Sequence, residues 1–258
     1  MSTSTEPLYD LVYILKRDEL NPELRYSLRA VCKFCKFRKI WLAGYSPKWV
    51  VGTVNLDLVQ KSTKWTNSTN NLIEVCKQDD LTDNFILMND DFFPLRPVID
   101  WEESLNFAGN YLDVRYRYYL NKYKEKISVW QKAFNDTDNF LRGLGLSHFN
   151  YELHIPMIVN KYRFLEMMSL PEVQKFRNCN EVFMKRSIYR NMYPMKDVGD
   201  PIFRKDVKLF KNHDATASDL NGDWLSVLDN VVNDDLTYPR LTDYFRFNFG
   251  KMCKYETI

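Results

Sequence analysis

Asn89, Asp90 and Asp91 directly follow the apolar run of residues 85–88. Carboxylate and amide oxygens at the end of a buried strand suit Mg²⁺ or Mn²⁺, which prefer oxygen ligands and can neutralise a bound diphosphate. The alternative is a turn rich in Asn and Asp that only ends a strand. We predict that Asp90 and Asp91 bind a divalent cation, that Asn89 contacts the bound cofactor, and that this metal is needed for ligand binding.

His154 and Arg186 are the other side chains suited to chemistry on a phosphate. His154 precedes Ile155 and Pro156, and a proline that fixes the local chain can position a histidine as an acid, a base or a phosphate donor. Arg186 belongs to the basic stretch 185–191, and an arginine can bind a phosphate through two parallel hydrogen bonds. The alternatives are a buried, hydrogen-bonded histidine and an ordinary solvated helix surface.

Two further patterns could indicate nucleic-acid binding or a zinc or redox site. The stretch 115–126 interleaves cations with tyrosines, which is typical of a nucleic-acid contact or of an amphipathic helix with half-buried tyrosines. Cys32 and Cys35 have the spacing of a zinc or redox motif, but they lie inside a predicted helix and no second pair exists. No glycine-rich phosphate loop, HExxH or GxSxG pattern occurs, which argues against P-loop proteins, zincins and hydrolases.

The elements that must position these residues alternate between strands and helices. Asn21 and Pro22 are residue types expected at a helix start, and apolar residues then recur at helical spacing. The predicted elements are a strand at 9–15, a helix from residue 21, strands at 39–43 and 54–59, a helix at 67–78 and a strand at 85–88. This alternation predicts an α/β protein with an open, mostly parallel sheet, which binds ligands beyond the carboxyl ends of its strands.

The domain organisation follows from the same pattern. Residues 1–97 form the β/α half, and residues 98–258 change to long helical stretches, at 111–134 and 171–193. No repeat or flexible linker separates the halves, so we predict a single domain over the whole chain. The helices and loops of the second half are expected to cover the mouth of the sheet.

Composition and charge limit the function classes. The chain has 258 residues, of which 45% are hydrophobic and 27% charged, so it has enough apolar residues for a sizeable core and is not disordered. A net charge of +2 argues against a purely electrostatic binder of nucleic acid or membranes. No signal peptide or run of about 18 apolar residues is evident, and the five cysteines are odd in number. We expect a cytoplasmic protein with no integral membrane segment and no disulfide.

A set of short segments follows a recognisable order along the chain. They are residues 10–15, 23–29, 40–42, 46–49, 71–74 and 85–93, followed by the shorter blocks 154–156, 186–189, 225–230 and 255–256. This order resembles the Stealth family of sugar-phosphate transferases, in a short form of the phage type. The chain departs from the family pattern at residues 16–18, where a glycine-containing turn is replaced, and at residues 65–68, where a Phe-Asn-Ser block is replaced.

The resemblance implies a GT-A-like fold that binds a nucleotide-diphosphate sugar, with the donor on the first half and the acceptor on the second. It implies Mn²⁺ or Mg²⁺ at Asp90 and Asp91, and it implies that Arg29 faces the nucleotide. A UDP-sugar is the favoured donor, and the expected setting is a bacterial or phage-infected cell.

The same resemblance implies that His154, Arg186 and Asp229 converge on the donor phosphates or on the attacked centre. The expected activity is transfer of a sugar or a sugar 1-phosphate to a hydroxyl group, on a carbohydrate acceptor. Two alternatives stay open. One is a phage-type DNA glycosyltransferase acting on hydroxymethylated bases, which the stretch 115–126 favours, and the other is a non-catalytic carbohydrate- or nucleotide-binding module.

Overall fold

A computed structural model of the chain describes residues 9–195, 199–209, 214–228 and 231–257. Its strands are β1 (Asp10–Ile14), β2 (Ile40–Gly44), β3 (Val54–Asp57), β4 (Asn84–Met88), β5 (Phe92–Pro94), β6 (Phe107–Ala108), β7 (Met157–Asn160), β8 (Ile202–Phe203) and β9 (Trp224–Ser226). Its helices are α1 (Pro22–Phe34), α2 (Lys64–Cys76), α3 (Trp101–Leu105), α4 (Leu112–Tyr123), α5 (Val129–Gly143), α6 (Lys161–Ser169), α7 (Pro171–Cys179), α8 (Lys185–Met192), α9 (Ala217–Leu220) and α10 (Pro239–Phe249).

Five strands form the central sheet in the order β3-β2-β1-β4-β7. The first four are parallel to one another, and β7 pairs with β4 in the antiparallel direction, with Asn84 opposite Asn160 and Leu87 opposite Met157. The predicted α/β class with a mostly parallel sheet is therefore confirmed. Two small sheets lie outside it, one formed by β5 with β9 and one by β6 with β8.

Both faces of the central sheet are covered by helices, as a parallel sheet requires. Leu11 and Tyr13 pack with α1 on one face. Val12 and Trp41 point to the other face and pack with α2 and α6. Because side chains alternate along each strand, this double covering fixes the orientation of the sheet and the position of every strand end.

The first two helices begin at capped positions. Asn21 caps α1 with φ of 28°, and its side-chain oxygen accepts a hydrogen bond from the Leu24 N–H, while Pro22 is the first helical residue as predicted. Helix α2 begins earlier than predicted, because the Thr63 side chain accepts a hydrogen bond from the Thr66 N–H and so starts the helix at Lys64.

The long helical stretches predicted in the second half are each divided in two. Helices α4 and α5 replace the stretch 111–134, because Ser128 and Gln131 form a capping box that starts a new helix. Helices α7 and α8 replace the stretch 171–193, since the chain becomes extended at Asn180. The second half also supplies β7 to the central sheet, so it contributes a strand as well as helices.

The five cysteines are free thiols. Cys32 and Cys35 are half-buried and pack against the hydrophobic core, and they line an open cavity together with Cys253. Within the described ranges, no helix combines the length and the apolar composition needed to cross a bilayer.

Candidate functional site

A cavity of about 460 Å³ opens beyond the carboxyl ends of β1 and β4, the edge where a parallel sheet is expected to bind its ligand. The start of α2, the segment before β7 and the first turn of α8 complete its walls. The lining residues are Ile14, Lys64, Trp65, Ser68, Leu87, Asn89, Phe92, Trp130, Glu152, Leu153, His154, Phe183, Lys185 and Arg186. Three of the predicted site residues, Asn89, His154 and Arg186, therefore meet in one cavity.

The imidazole of His154 is held by Asp206. Its Nδ1 lies 2.8 Å from Oδ2 of Asp206, and the His154 backbone N–H donates to Oδ1 of the same carboxylate at 3.0 Å. Burial opposes ionisation of Asp206, but the hydrogen bonds from the His154 side chain and backbone, together with the charge of Arg115, outweigh burial and hold the pKa of Asp206 below its usual range. The ionised carboxylate favours a proton on Nδ1, which leaves Nε2 as the acceptor nitrogen of the neutral ring.

Arg186 is buried in the first turn of α8. Its Nε–H donates to the Tyr151 carbonyl at 3.2 Å, and an Nη2–H donates to the Ile155 carbonyl. The guanidinium also lies 5.7 Å from the centre of the Phe92 ring. Burial lowers the pKa of Arg186, and its hydrogen-bond partners are neutral. Among the described residues no carboxylate forms an ion pair with it.

Lys185, the residue before Arg186, is the second cation of the cavity. Its Nζ donates to Oγ of Ser68 at 2.9 Å, and burial lowers the pKa of Lys185 to about 8. Glu152 is the one carboxylate among the described lining residues, and its Oε1 accepts a hydrogen bond from the Ser187 N–H in the first turn of α8. Two cations thus occupy a helix N-terminus, where the helix dipole disfavours positive charge.

Aromatic side chains form part of the cavity wall. Trp65 and Lys64 come from the first turn of α2, and the Lys64 Nζ lies 5.1 Å from the centre of the Trp65 ring. Trp130 comes from α5 and packs edge-to-face on Phe134, with 5.9 Å between ring centroids. Flat aromatic surfaces beside cations are suited to the apolar face of a sugar or a base.

The turn that begins at Asn89 joins β4 to β5. The Phe92 N–H donates to the Asn89 carbonyl at 3.3 Å and closes the turn. The side-chain amide of Asn21 donates to Oδ2 of Asp90 at 2.9 Å. Since Asn21 also caps α1, this contact ties the turn to the start of that helix.

Asp91 is buried and already paired. Its Oδ2 accepts a hydrogen bond from Oγ of Ser226 at 2.8 Å and forms an ion pair with the Lys208 ammonium at 3.0 Å. A lysine at this oxygen competes with a divalent cation for the same charge. In the described part of the chain, neither Asp90 nor Asp91 belongs to a group of three possible metal ligands. Metal binding at Asp90 and Asp91 therefore stays a prediction, in which the cation has to displace Lys208 from Asp91.

A different cluster has the side-chain types of a metal site. Asp113, Asp138 and His148 each place one possible ligand atom within 4.8 Å of the others. Arg117 pairs with Asp113 at 2.9 Å and Arg142 pairs with Asp138 at 2.8 Å, so both carboxylates are already compensated. The cluster joins α4 and α5 to the segment that follows them, and it lies outside the cavity.

Arg29 does not face the cavity, in contrast to what the resemblance implies. Its Nε and Nη2 donate to the two carboxylate oxygens of Glu256 at 2.8 Å each, and its Nη1 donates to the Phe249 carbonyl at 3.0 Å. The Glu256 side chain is fully buried, so this pair fastens the end of the chain to α1. Asp229 lies outside the described residues.

The residues of the cavity region that the sequence did not predict include Asp206, Glu152 and Trp130. Asp206 and Glu152 stand in irregular segments, and Trp130 stands in a helix whose start was not predicted, so no periodic pattern marks them. Residues 65–68 could have been found, because this block stands where the family has a Phe-Asn-Ser block. It supplies Trp65 and Ser68 to the cavity wall.

No family model matches the chain, and no curated protein matches it. Among solved structures it is similar to the galactosyltransferase LgtC in complex with donor and acceptor sugar analogs, at 13% identity and a TM-score of 0.41, over 71% of this chain and 70% of that one. It is similar to the glycosyltransferase GlyE of Streptococcus pneumoniae TIGR4, at 10% identity and a TM-score of 0.37, over 72% of this chain and 43% of that one. Mouse xyloside xylosyltransferase 1, in its apo form, is similar at 13% identity and a TM-score of 0.40, over 96% of each chain.

Replacement of Asp91 tests the ion pair that holds the turn after β4. Asp91→Ala leaves the Lys208 ammonium without its partner at a largely buried position, which is expected to lower the free energy of unfolding by on the order of 3 kcal/mol. The double variant Asp91→Ala, Lys208→Met is expected to recover part of this loss, because no unpaired charge remains. Urea unfolding measures both changes, and an Asp91→Ala protein as stable as wild type would contradict the structural role.

Proposed function

We propose that this chain transfers a sugar, or a sugar 1-phosphate, from a nucleotide-diphosphate sugar to a hydroxyl acceptor. The observation that carries the proposal is the pair of cations Lys185 and Arg186, which share a cavity with His154. No carboxylate of the described residues forms an ion pair with either cation, and Glu152 is the carboxylate that acts on both from a greater distance. Burying unpaired charge is costly, and an anionic ligand removes that cost. A diphosphate has the charge and the oxygen acceptors that an ammonium and a guanidinium side by side can bind.

The position of the cations supports their role toward the leaving group. Lys185 and Arg186 are the first two residues of α8, so the positive end of the helix dipole adds to their charge at the same place. Negative charge develops on the departing phosphate oxygen during transfer, and donors that are already fixed stabilise it without reorganisation. The carbonyls of Tyr151 and Ile155 fix the Arg186 guanidinium in this way.

His154 is placed to act on the acceptor. With Nδ1–H held by Asp206, Nε2 takes the proton of an acceptor hydroxyl as its oxygen attacks. If the oxygen bonds to the anomeric carbon, the bond from that carbon to the phosphate oxygen breaks and a nucleoside diphosphate leaves. If the oxygen bonds to the sugar-bearing phosphorus, the diphosphate bridge breaks and a nucleoside monophosphate leaves.

Several finer expectations stay predictions. They are membership of the Stealth family, a UDP-sugar as donor, and the need for Mn²⁺ or Mg²⁺ at Asp90 and Asp91. The ion pair of Asp91 with Lys208 argues against a preformed cation site there. The roles of Asn89 in donor binding and of Asp229 in catalysis also stay predictions, as does the division into a donor half and an acceptor half.

The test is product release from a panel of UDP-, GDP-, CDP- and TDP-sugars, with EDTA or with added Mn²⁺. Release of a nucleoside diphosphate identifies glycosyl transfer, and release of a nucleoside monophosphate identifies sugar-phosphate transfer. Oligosaccharides and hydroxymethylated DNA are supplied as separate acceptors. The DNA is included because α4 exposes Tyr118 beside Arg115, as a nucleic-acid contact would require. Nucleotide binding without turnover of any donor would favour a non-catalytic module and contradict the proposal.

The role of His154 is tested against a second histidine held in the same way. His154→Gln is expected to lower turnover by roughly two to four orders of magnitude, since it removes the base and keeps a polar side chain of similar size. His148 lies 2.8 Å from Asp138 but outside the cavity, so His148→Gln is expected to keep turnover close to wild type. An equal loss of turnover in the two variants, with unchanged thermal unfolding, would contradict the assignment of His154 as the base.

The pKa of Lys185 predicts how affinity for a nucleotide depends on pH. Binding of UDP needs the ammonium, whose pKa is lowered to about 8, so affinity is expected to fall by up to about tenfold per pH unit as the pH rises above that value. Lys185→Arg keeps the charge throughout this range and is expected to abolish the fall. Calorimetric titration with UDP measures both, and a wild-type affinity that is constant across this range would contradict the assignment.

A further inference from the structure

Helix α8 continues beyond the candidate site, and its second half faces a different cavity. This cavity has a volume of about 580 Å³ and is lined by Asn84, Asn160, Arg163, Tyr189, Arg190 and Tyr193, among others. Asn84 begins β4 and Asn160 ends the antiparallel β7, so the cavity lies at the opposite edge of the sheet from His154 and Arg186. One helix therefore contributes cations to cavities at both edges.

Arg190 is the buried cation of this second cavity. It is 5% exposed, and the described residues provide neither a carboxylate ion pair nor a hydrogen-bond acceptor for its guanidinium. Its guanidinium carbon lies over the ring of Tyr151, 5.9 Å from the ring centre. The nearby carboxylate of Glu102 accepts a hydrogen bond from the Tyr9 hydroxyl instead. A guanidinium carries five N–H donors, and those of Arg190 that face the cavity are available to an anionic ligand.

Other donors surround the same space. The guanidinium of Arg163 is exposed at the rim, 5.8 Å from the centre of the Tyr193 ring. The hydroxyl oxygen of Tyr189 accepts a hydrogen bond from the Asn160 N–H at 2.7 Å, which leaves its own O–H hydrogen to donate. The cavity therefore offers two guanidinium groups and a hydroxyl, with Glu102 as the acid among its described lining residues.

We propose that this cavity binds the phosphate group of a small molecule between Arg190 and Arg163. Two guanidinium groups suit the several oxygens of a phosphate better than the two of a carboxylate, and the volume leaves room for more than the phosphate. The free ion and a phosphorylated sugar share this chemistry, so both serve as probes. This site does not depend on the proposed sugar transfer, because it uses different side chains at the other edge of the sheet.

Titrations with inorganic phosphate and with a hexose 1-phosphate test the proposal. They are made on a Lys185→Met protein, which removes one cation of the other cavity, and on the same protein with Arg190→Met added. Arg190→Met is expected to weaken phosphate binding at least tenfold, and Arg163→Met to weaken it less. Tighter binding of the hexose phosphate would identify a phosphorylated small molecule as the ligand, and equal binding would identify the free ion.

Stability provides an independent readout. Arg190→Met removes an unpaired buried charge, so it is expected to raise the midpoint of thermal unfolding in phosphate-free buffer, by roughly 2–4 °C. The exposed Arg163→Met is expected to leave it unchanged. A lower midpoint for Arg190→Met would show that Arg190 supports the fold through an internal partner and would overturn the proposal. Phosphate binding that is absent, or unaffected by Arg190→Met, would overturn it as well.

Discussion

Positive charge along α8 is the constraint on which the two cavities depend, and Arg186 and Arg190 are buried while Lys185 is half-buried. Lys185, Arg186 and Arg190 lie within two turns of one helix, and among the described residues none of them has a carboxylate ion pair. Their direct contacts are a hydroxyl, backbone carbonyls and aromatic rings, and carboxylates such as Glu152 and Glu102 act on them only from a greater distance. A folded protein keeps such an arrangement at a cost in stability, and both proposals assign an anionic ligand to offset that cost.

The central sheet decides where those charges lie. Parallel strands bring the ends of β1 and β4 to one edge, and β7, which runs the other way beside β4, returns the chain to the opposite edge. The segment that carries His154 leads into β7, so the histidine reaches the carboxyl ends of the parallel strands. The start of α8 lines the cavity at that edge and its end lines the cavity at the other.

In the turn after β4, contacts within the protein engage side chains that the sequence motif assigns to a ligand. Two adjacent aspartates after a buried strand have the chemistry of metal ligands, yet Lys208 and Ser226 engage Asp91, and Asn21 engages Asp90. These contacts connect the turn to β9 and to the start of α1. The same reasoning applies to Arg29, whose guanidinium fork matches a phosphate but is occupied by Glu256. In both cases a side chain from a remote part of the sequence supplies the charge that a ligand was expected to supply.

The sequence by itself determined the α/β class, the strands from β1 to β4 and the start of α1. It also singled out His154, Arg186 and Asn89 as side chains suited to bind a phosphate or a cofactor. These features are local: apolar runs, capping residues and side-chain chemistry act over a few positions. Only the tertiary structure decided that Asp206 orients His154 and that Asp91 and Arg29 are internally paired. The reason is that the partner of a charged side chain decides whether that side chain is free to bind a ligand. These partners lie between 52 and 227 residues away in the chain, beyond the reach of any local pattern.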